Sequence, residues 1–130
     1  VRDLTAGSSG SLRRIQSTGC GGAAAAVTLH LCPFCLEPFL CESSVVRHLK
    51  YACLRHPPGH EVYRDPFSKL TMFELDGALE HTFAKHLALL SKLFLEHKAL
   101  DCDMKPFLFY VLCEITPHGC MVLGYFSKEK

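Results

Sequence analysis

Apolar and polar positions along the chain divide it into three stretches of different character. Residues 1–28 are rich in Gly, Ser and Ala and carry few large apolar groups with no sustained period. That composition cannot bury enough surface to fix a backbone, so it predicts a flexible arm. Residues 30–55 interleave short apolar pairs with cysteines and histidines and read as a compact module. From residue 61 onward the apolar pattern predicts regular elements. Glu61–Arg64 and Leu70–Asp76 read as two short strands, the first broken by Asp65-Pro66 and the second ended by an Asp76-Gly77 turn.

Residues 79–98 predict a helix. Phe83, Leu87, Leu90 and Phe94 recur at helical spacing as one apolar stripe, and Leu89, Leu93 and Leu95 widen it. The second half of that helix is therefore expected to be buried on most sides. Pro106 bars further helix. Phe107 to Ile115 then predicts a strand, with Phe107, Phe109, Val111, Cys113 and Ile115 on one face and Leu108, Tyr110 and Leu112 on the other. Apolar residues on both faces imply a central strand covered on both sides. Thr116-Pro117-His118-Gly119 reads as a turn, and Cys120 to Phe126 returns as the antiparallel partner. No further strand follows in the chain, so Cys120–Phe126 is expected to be an apolar edge and the part beyond the cysteine module only marginally stable.

Composition narrows the picture. The chain has 130 residues, 48% of them apolar, and a formal net charge of +1. That is too neutral for a nucleic-acid binder working through a general basic face, so any such role must rest on a local patch. Eight cysteines are present, but not in the even framework of a small secreted protein, and no signal peptide is visible. Metal binding in a reducing compartment is the expectation, rather than disulfides. The apolar run from Ala23 to Leu31 is far too short to span a membrane, and no membrane partner is expected. A start at Val1 without methionine reads as a piece of a longer protein. Arg13-Arg14-Ile15-Gln16-Ser17 has the form of a basophilic kinase site but reads more simply as exposed linker.

The chemistry concentrates in Cys32-x2-Cys35-x12-His48-x4-Cys53. Zinc at neutral pH takes thiolates and neutral imidazole, and this spacing matches a zinc-finger frame with cysteine in the last place. His48 and Cys53 lie about 1.4 helical turns apart, so their side chains can converge at a helix end. Phe39 and Val45 stand where a small finger places its mini-core, and Ser43 or Ser44 can cap the helix. Cys41 falls between the hairpin and the helix and cannot easily reach a site closed by the other four. His56 and His60 compete for the fourth position, but His56 lies beyond the usual gap and Cys53 fits better. His30 reads as an ordinary polar residue. Three thiolates and one imidazole on Zn²⁺ leave a net charge of −1, which Arg47, Lys50 and Arg55 can offset. In a base-reading finger, Cys41, Ser44 and Arg47 would occupy the contact positions. Only Arg47 suits that task, which favours backbone contact with DNA or a scaffold role.

Beyond the module lie His56-Pro57-Pro58-Gly59-His60-Glu61-Val62-Tyr63-Arg64, Phe73-Glu74-Leu75-Asp76-Gly77, Leu89-Leu90-Ser91-Lys92-Leu93-Phe94-Leu95-Glu96-His97-Lys98, Lys105-Pro106-Phe107-Leu108-Phe109-Tyr110 and Gly124-Tyr125-Phe126-Ser127-Lys128-Glu129-Lys130. In this order and spacing, from about Leu31 to Lys130, the chain resembles the MYST family of histone acetyltransferases.

The resemblance implies an α+β fold: a small C2HC zinc finger of hairpin plus helix, followed by a partial GNAT-like acetyltransferase sheet with one long helix. It places the finger at 29–58 and the front of the acetyltransferase core at 59–130, after the flexible arm that composition predicts at 1–28. The implied parent transfers acetyl from acetyl-CoA to histone lysines in the nucleus. It acts in chromatin and transcription regulation, with the nucleosome and other subunits of an acetyltransferase complex as partners and possible contact with the DNA backbone. The family's pyrophosphate-binding Gly-rich loop, its active-site cysteine strand and its general-base glutamate have no counterpart between Val1 and Lys130, so this chain alone is expected to be inactive. Cys113 and Cys120 sit in the hairpin and are expected to pack, not to catalyse. Lys92 aligns with the family's autoacetylated lysine. On the helix pattern it points away from the apolar stripe, flanked by Leu89 and Leu95 at about 60° on either side. The chain also departs from the family upstream, where it has no tryptophan-containing segment. The other reading is a non-catalytic zinc module that binds a protein partner or nucleic acid.

Overall fold

The computed structural model describes residues 13–16, 28–92 and 103–130. These residues form an α+β fold of two antiparallel sheets and two helices. In chain order they are β1 (Arg13–Gln16), β2 (Thr28–Leu31), β3 (Pro38–Phe39), α1 (Glu42–Tyr51), β4 (His60–Asp65), β5 (Leu70–Asp76), α2 (His81–Lys92), β6 (Phe107–Thr116) and β7 (Gly119–Glu129). The small sheet has the order β1-β2-β3 and the larger one β4-β5-β6-β7. Neither described helix is long and apolar enough to cross a membrane.

The large sheet is a meander, and burial alternates most regularly in its inner strands. In β5, Thr71, Phe73 and Leu75 are buried between half-buried neighbours. Their partners in register on β6 are Cys113, Val111 and Phe109, which point into the same core. Thr71 is the buried polar residue of the described core, and its hydroxyl donates to the Tyr63 carbonyl at 3.0 Å and to the Glu61 carboxylate. A two-residue loop, Pro117-His118, joins β6 to β7, with Thr116 opposite Gly119. β7 carries a bulge where the register shifts between Leu112 and Cys113. The bulge turns Val122 and Tyr125 toward the covered face, where Val122 is buried and Tyr125 packs against the core.

α2 lies on that covered face through Phe83, Ala84, Leu87 and Ala88, all buried. Tyr125 fastens the helix to the sheet by donating its hydroxyl to Ser91 Oγ at 2.8 Å. The turn before α2 is held by Asp76, whose carboxylate accepts the Ala78 N–H at 2.7 Å and the Lys130 ammonium at 2.6 Å. Those contacts, Lys130 first, hold the Asp76 carboxyl below its ordinary value.

Four sequence expectations differ from the structure. The expected stripe of α2 faces the core, with Phe83 and Leu87 buried and Leu90 packed against it, but Ala84 and Ala88 widen that face where Leu89 was expected to, and Leu89 is 38% exposed. Residues 93–98 of the expected helix lie outside the described residues. Among the described residues, β6 is covered on one face only. Leu108, Tyr110 and Leu112 on its other face are half-buried, and Tyr110 stacks on Phe126 at 4.9 Å instead of on an overlying element.

The third difference is at the outer edge of β7, which is not bare along its first half. Its Cys120 N–H donates to the Arg55 carbonyl at 2.8 Å and its Val122 N–H to the Pro33 carbonyl at 3.1 Å. The last difference lies in the segment read as an arm, where Arg13–Gln16 pairs in register with Thr28–Leu31. Residues 1–12 and 17–27 lie outside the described residues.

Candidate metal centre

Each ligand-bearing segment is shaped by its own backbone. Cys32 to Leu36 forms a tight knuckle in which the Leu36 N–H donates to the Cys32 carbonyl at 2.9 Å and the Cys32 N–H to the Glu37 carbonyl at 3.0 Å. Leu36 takes the left-handed conformation, φ 60°, and its side chain is buried in the core of the large sheet. The burial of this leucine offsets the steric cost of that backbone. The knuckle is closed by β2 and β3, where His30 pairs with Phe39 and Leu31 with Pro38. α1 presents His48 on its last turn, and the Ala52 and Cys53 N–H groups both donate to the His48 carbonyl at 2.9 Å, which swings Cys53 back toward the histidine.

The result is one cluster. The Sγ atoms of Cys32, Cys35 and Cys53 and a ring nitrogen of His48 all lie within 4.8 Å of one another. Cys32 Sγ is 3.6 Å from Cys53 Sγ, and Cys35 Sγ is 3.1 Å from His48 Nε2. Tetrahedral zinc with Zn–S near 2.3 Å separates its donors by about 3.5–3.8 Å, so the donor set and its spread fit that ion. Cys32 is fully buried and the other three are half-buried. Val45 is buried beneath the cluster, and Phe39 packs on the His48 ring at 5.1 Å.

The surroundings orient the donors. Glu37 Oε2 lies 3.5 Å from His48 Nδ1, which directs Nε2 to the cluster. The Arg55 N–H donates to Cys53 Sγ at 3.3 Å. The Cys35 thiol hydrogen-bonds to Cys32 and lowers the Cys32 thiol to about 5, and the same bond pushes Cys35 up. Burial pushes Cys53 up. A metal ion here would take all three sulfurs as thiolates and release their protons.

Other sequence candidates stand apart from the cluster. Cys41 is exposed and occupies the N-cap position of α1, where its sulfur meets Ser44 Oγ at 2.9 Å. Ser43 and Ser44, expected as caps, lie inside the helix, and no side chain caps it. His56 stacks on Phe73, with ring centroids 5.8 Å apart, and its Nδ1 meets the Pro57 carbonyl. His60 is exposed at the start of β4, and His30 lies half-buried in β2. Of the three cations expected to offset the centre's charge, Arg55 contacts it, while Lys50 lies over the Tyr51 ring at 5.1 Å and Arg47 is exposed. Cys113 is buried, its thiol pushed up to about 12 by burial, and Cys120 packs against the core. Lys92 is exposed on the last described turn of α2. Sequence reasoning missed Glu37, for which no spacing rule exists. It also missed the role of Arg55 backbone, although a residue two places after a ligand is a natural donor to its sulfur.

A sulfur-rich four-donor cluster in a hairpin-plus-helix unit, seated on an antiparallel sheet, defines a C2HC finger module joined to an α+β domain. The chain belongs to the MOZ/SAS family, whose description matches residues 56–130. It is 47% identical over 102 residues to "Histone acetyltransferase esa-1" of Neurospora crassa, covering 78% of this chain and 20% of that protein. It is 48% identical over 104 residues to "Histone acetyltransferase of the MYST family 1" of Arabidopsis thaliana, covering 80% and 23%. With "Histone acetyltransferase mst1" of Schizosaccharomyces pombe it shares 45% over 102 residues, covering 78% and 22%. The chain therefore spans about a fifth of the length of these relatives.

Proposed function

We propose that this chain is the front of a lysine acetyltransferase acting on histones, with Cys32, Cys35, His48 and Cys53 holding one structural zinc ion. The observation that carries the reading is the convergence of those four donors in a unit that packs Leu36 into the core of the sheet, within a chain nearly half identical to histone acetyltransferases. Zinc there would staple the knuckle to the end of α1. All four positions are filled by protein, so the ion has no open position for substrate. The finger spans 29–58 and the front of the acetyltransferase domain 59–130.

The parent takes acetyl from acetyl-CoA, works in the nucleus on nucleosomes as part of a complex, and serves chromatin and transcription regulation. Contact with DNA rests on the exposed cations of α1, Arg47 and Lys50, which suit phosphate rather than base edges. Among the described residues no Gly-rich loop cradles a phosphate, and we assign the acetyl-CoA site to other parts of the parent. Lys92 is the acetyl acceptor within this chain. Its exposed position on α2 leaves it open to modification.

Acetyl transfer to histone peptides tests the proposal directly. The full-length parent is expected to turn over acetyl-CoA on such peptides, and the 130-residue chain is expected to show no turnover. A full-length protein that transfers no acetyl group to any histone peptide would overturn the assignment.

A further inference from the structure

The finger and the large sheet meet along one seam, and residues next to metal ligands make it. Pro33 lies between Cys32 and Cys35, and its carbonyl accepts the Val122 N–H at 3.1 Å. Arg55 lies two residues past Cys53, and its carbonyl accepts the Cys120 N–H at 2.8 Å. Arg55 is fixed from three further sides. Its N–H donates to Cys53 Sγ at 3.3 Å, one guanidinium nitrogen donates to the His118 carbonyl at 3.3 Å, and the other to the Leu49 carbonyl at 3.2 Å. It holds φ 62°, an uncommon conformation that these bonds over-determine. Across the seam Gly119 has φ 142°, and a Cβ there would collide with the Arg55 carbonyl and reach the Phe34 ring at 3.0 Å.

We propose that metal occupancy of the four-donor centre controls protection of the first half of β7, with Arg55 as the positioning residue that transmits it. The inference rests on the zinc reading above. The two carbonyls that satisfy β7 belong to the two chain segments that the ion would tie together, 32–35 and 53–55. With the ion bound, the carbonyls stand at a fixed separation matching the alternate N–H groups of a strand, and the edge is closed. With the ion gone, only weak sulfur hydrogen bonds hold the segments together. The Cys120 and Val122 N–H groups are then exposed as a template for another strand.

Amide exchange by NMR on the 130-residue chain, paired with zinc stoichiometry by native mass spectrometry, tests the coupling. One zinc per chain is expected. Chelation should then speed exchange at Cys120 and Val122 by about tenfold or more, while Phe73 and Leu75 in β5 lose much less protection, as local opening does. Gly119→Ala and Arg55→Ala should each speed exchange at Cys120 without chelator and still bind one zinc. Should Gly119→Ala fail to fold, Arg55→Ala decides. A chain that binds no zinc sinks the metal reading and the coupling together. Bound zinc with equal exchange before and after chelation sinks the coupling alone, as does an Arg55→Ala chain whose exchange is unchanged. Equal loss of protection in β5 would make the metal a requirement of the whole fold and would also overturn the proposal.

Discussion

Cys53 and Cys41 have the same side chain and opposite positions. The α1 carbonyl of His48 holds two N–H groups at its end and turns Cys53 onto the cluster. Cys41 is stranded on the surface before the helix begins. Cys53→Ser is expected to abolish stoichiometric zinc in native mass spectra, and Cys41→Ser to leave one ion per chain. The thiols should also differ in reactivity. Hydrogen bonds from Ser43 and Ser44 lower Cys41 to about 7, whereas burial pushes Cys113 up to about 12. At pH 8, alkylation followed by peptide mapping should find Cys41 modified and Cys113 protected until denaturant is added. These four donors were legible in sequence because ligand spacing is a local property of the chain. The helix start was not, because a serine inside the first turn and a serine at the cap look alike until the backbone is known. Glu37 was not, because it meets His48 only after the hairpin and helix have packed.

α2 shows how packing can adjust a sequence pattern. Its stripe of large apolar residues faces the core as spacing predicts, but the face widens through Ala84 and Ala88 and not through Leu89. Leu87→Ala is therefore expected to cost about 2–5 kcal/mol, while Leu89→Lys, on the exposed side, should change stability by no more than about 0.5 kcal/mol. Urea unfolding of the two variants measures the difference, and equal losses would return Leu89 to the buried face. The strands β5, β6 and β7 were legible because each is a run rich in apolar residues bounded by turn residues, a local signal. β1 was not, because its single apolar residue gives no period and its pairing depends on a partner twelve residues or more away. At the end of the sheet, Asp76 joins the α2 turn to Lys130. Its carboxyl titrates below the ordinary 3.8, so its stabilising effect is complete above about pH 4 and is lost as pH falls through the lower folded value. Thermal melts should show that acidification to pH 3 lowers the midpoint of the wild type more than that of Asp76→Asn.

At the scale of the molecule, the finger is part of the domain's core. Leu36 from the knuckle and Leu87 from α2 belong to the same buried cluster, so chelation should lower the thermal midpoint of the whole chain and not merely melt an appendage. Differential scanning calorimetry with and without chelator would show one shifted transition; two separable transitions would contradict the shared core. The family was legible in sequence because its blocks are contiguous, while the seam between finger and hairpin was not, since it joins residues more than sixty positions apart. The strand order of the large sheet, β4-β5-β6-β7, also bears on how the chain is made. Each strand pairs with the one synthesised just before it, so nothing already built has to be opened to admit a later strand. Translation would lay the sheet down in strand order, with short loop closures at β4-β5 and β6-β7 and a longer one from Asp76 to Leu108 across α2. The knuckle, made before the sheet, would wait for the β6-β7 hairpin.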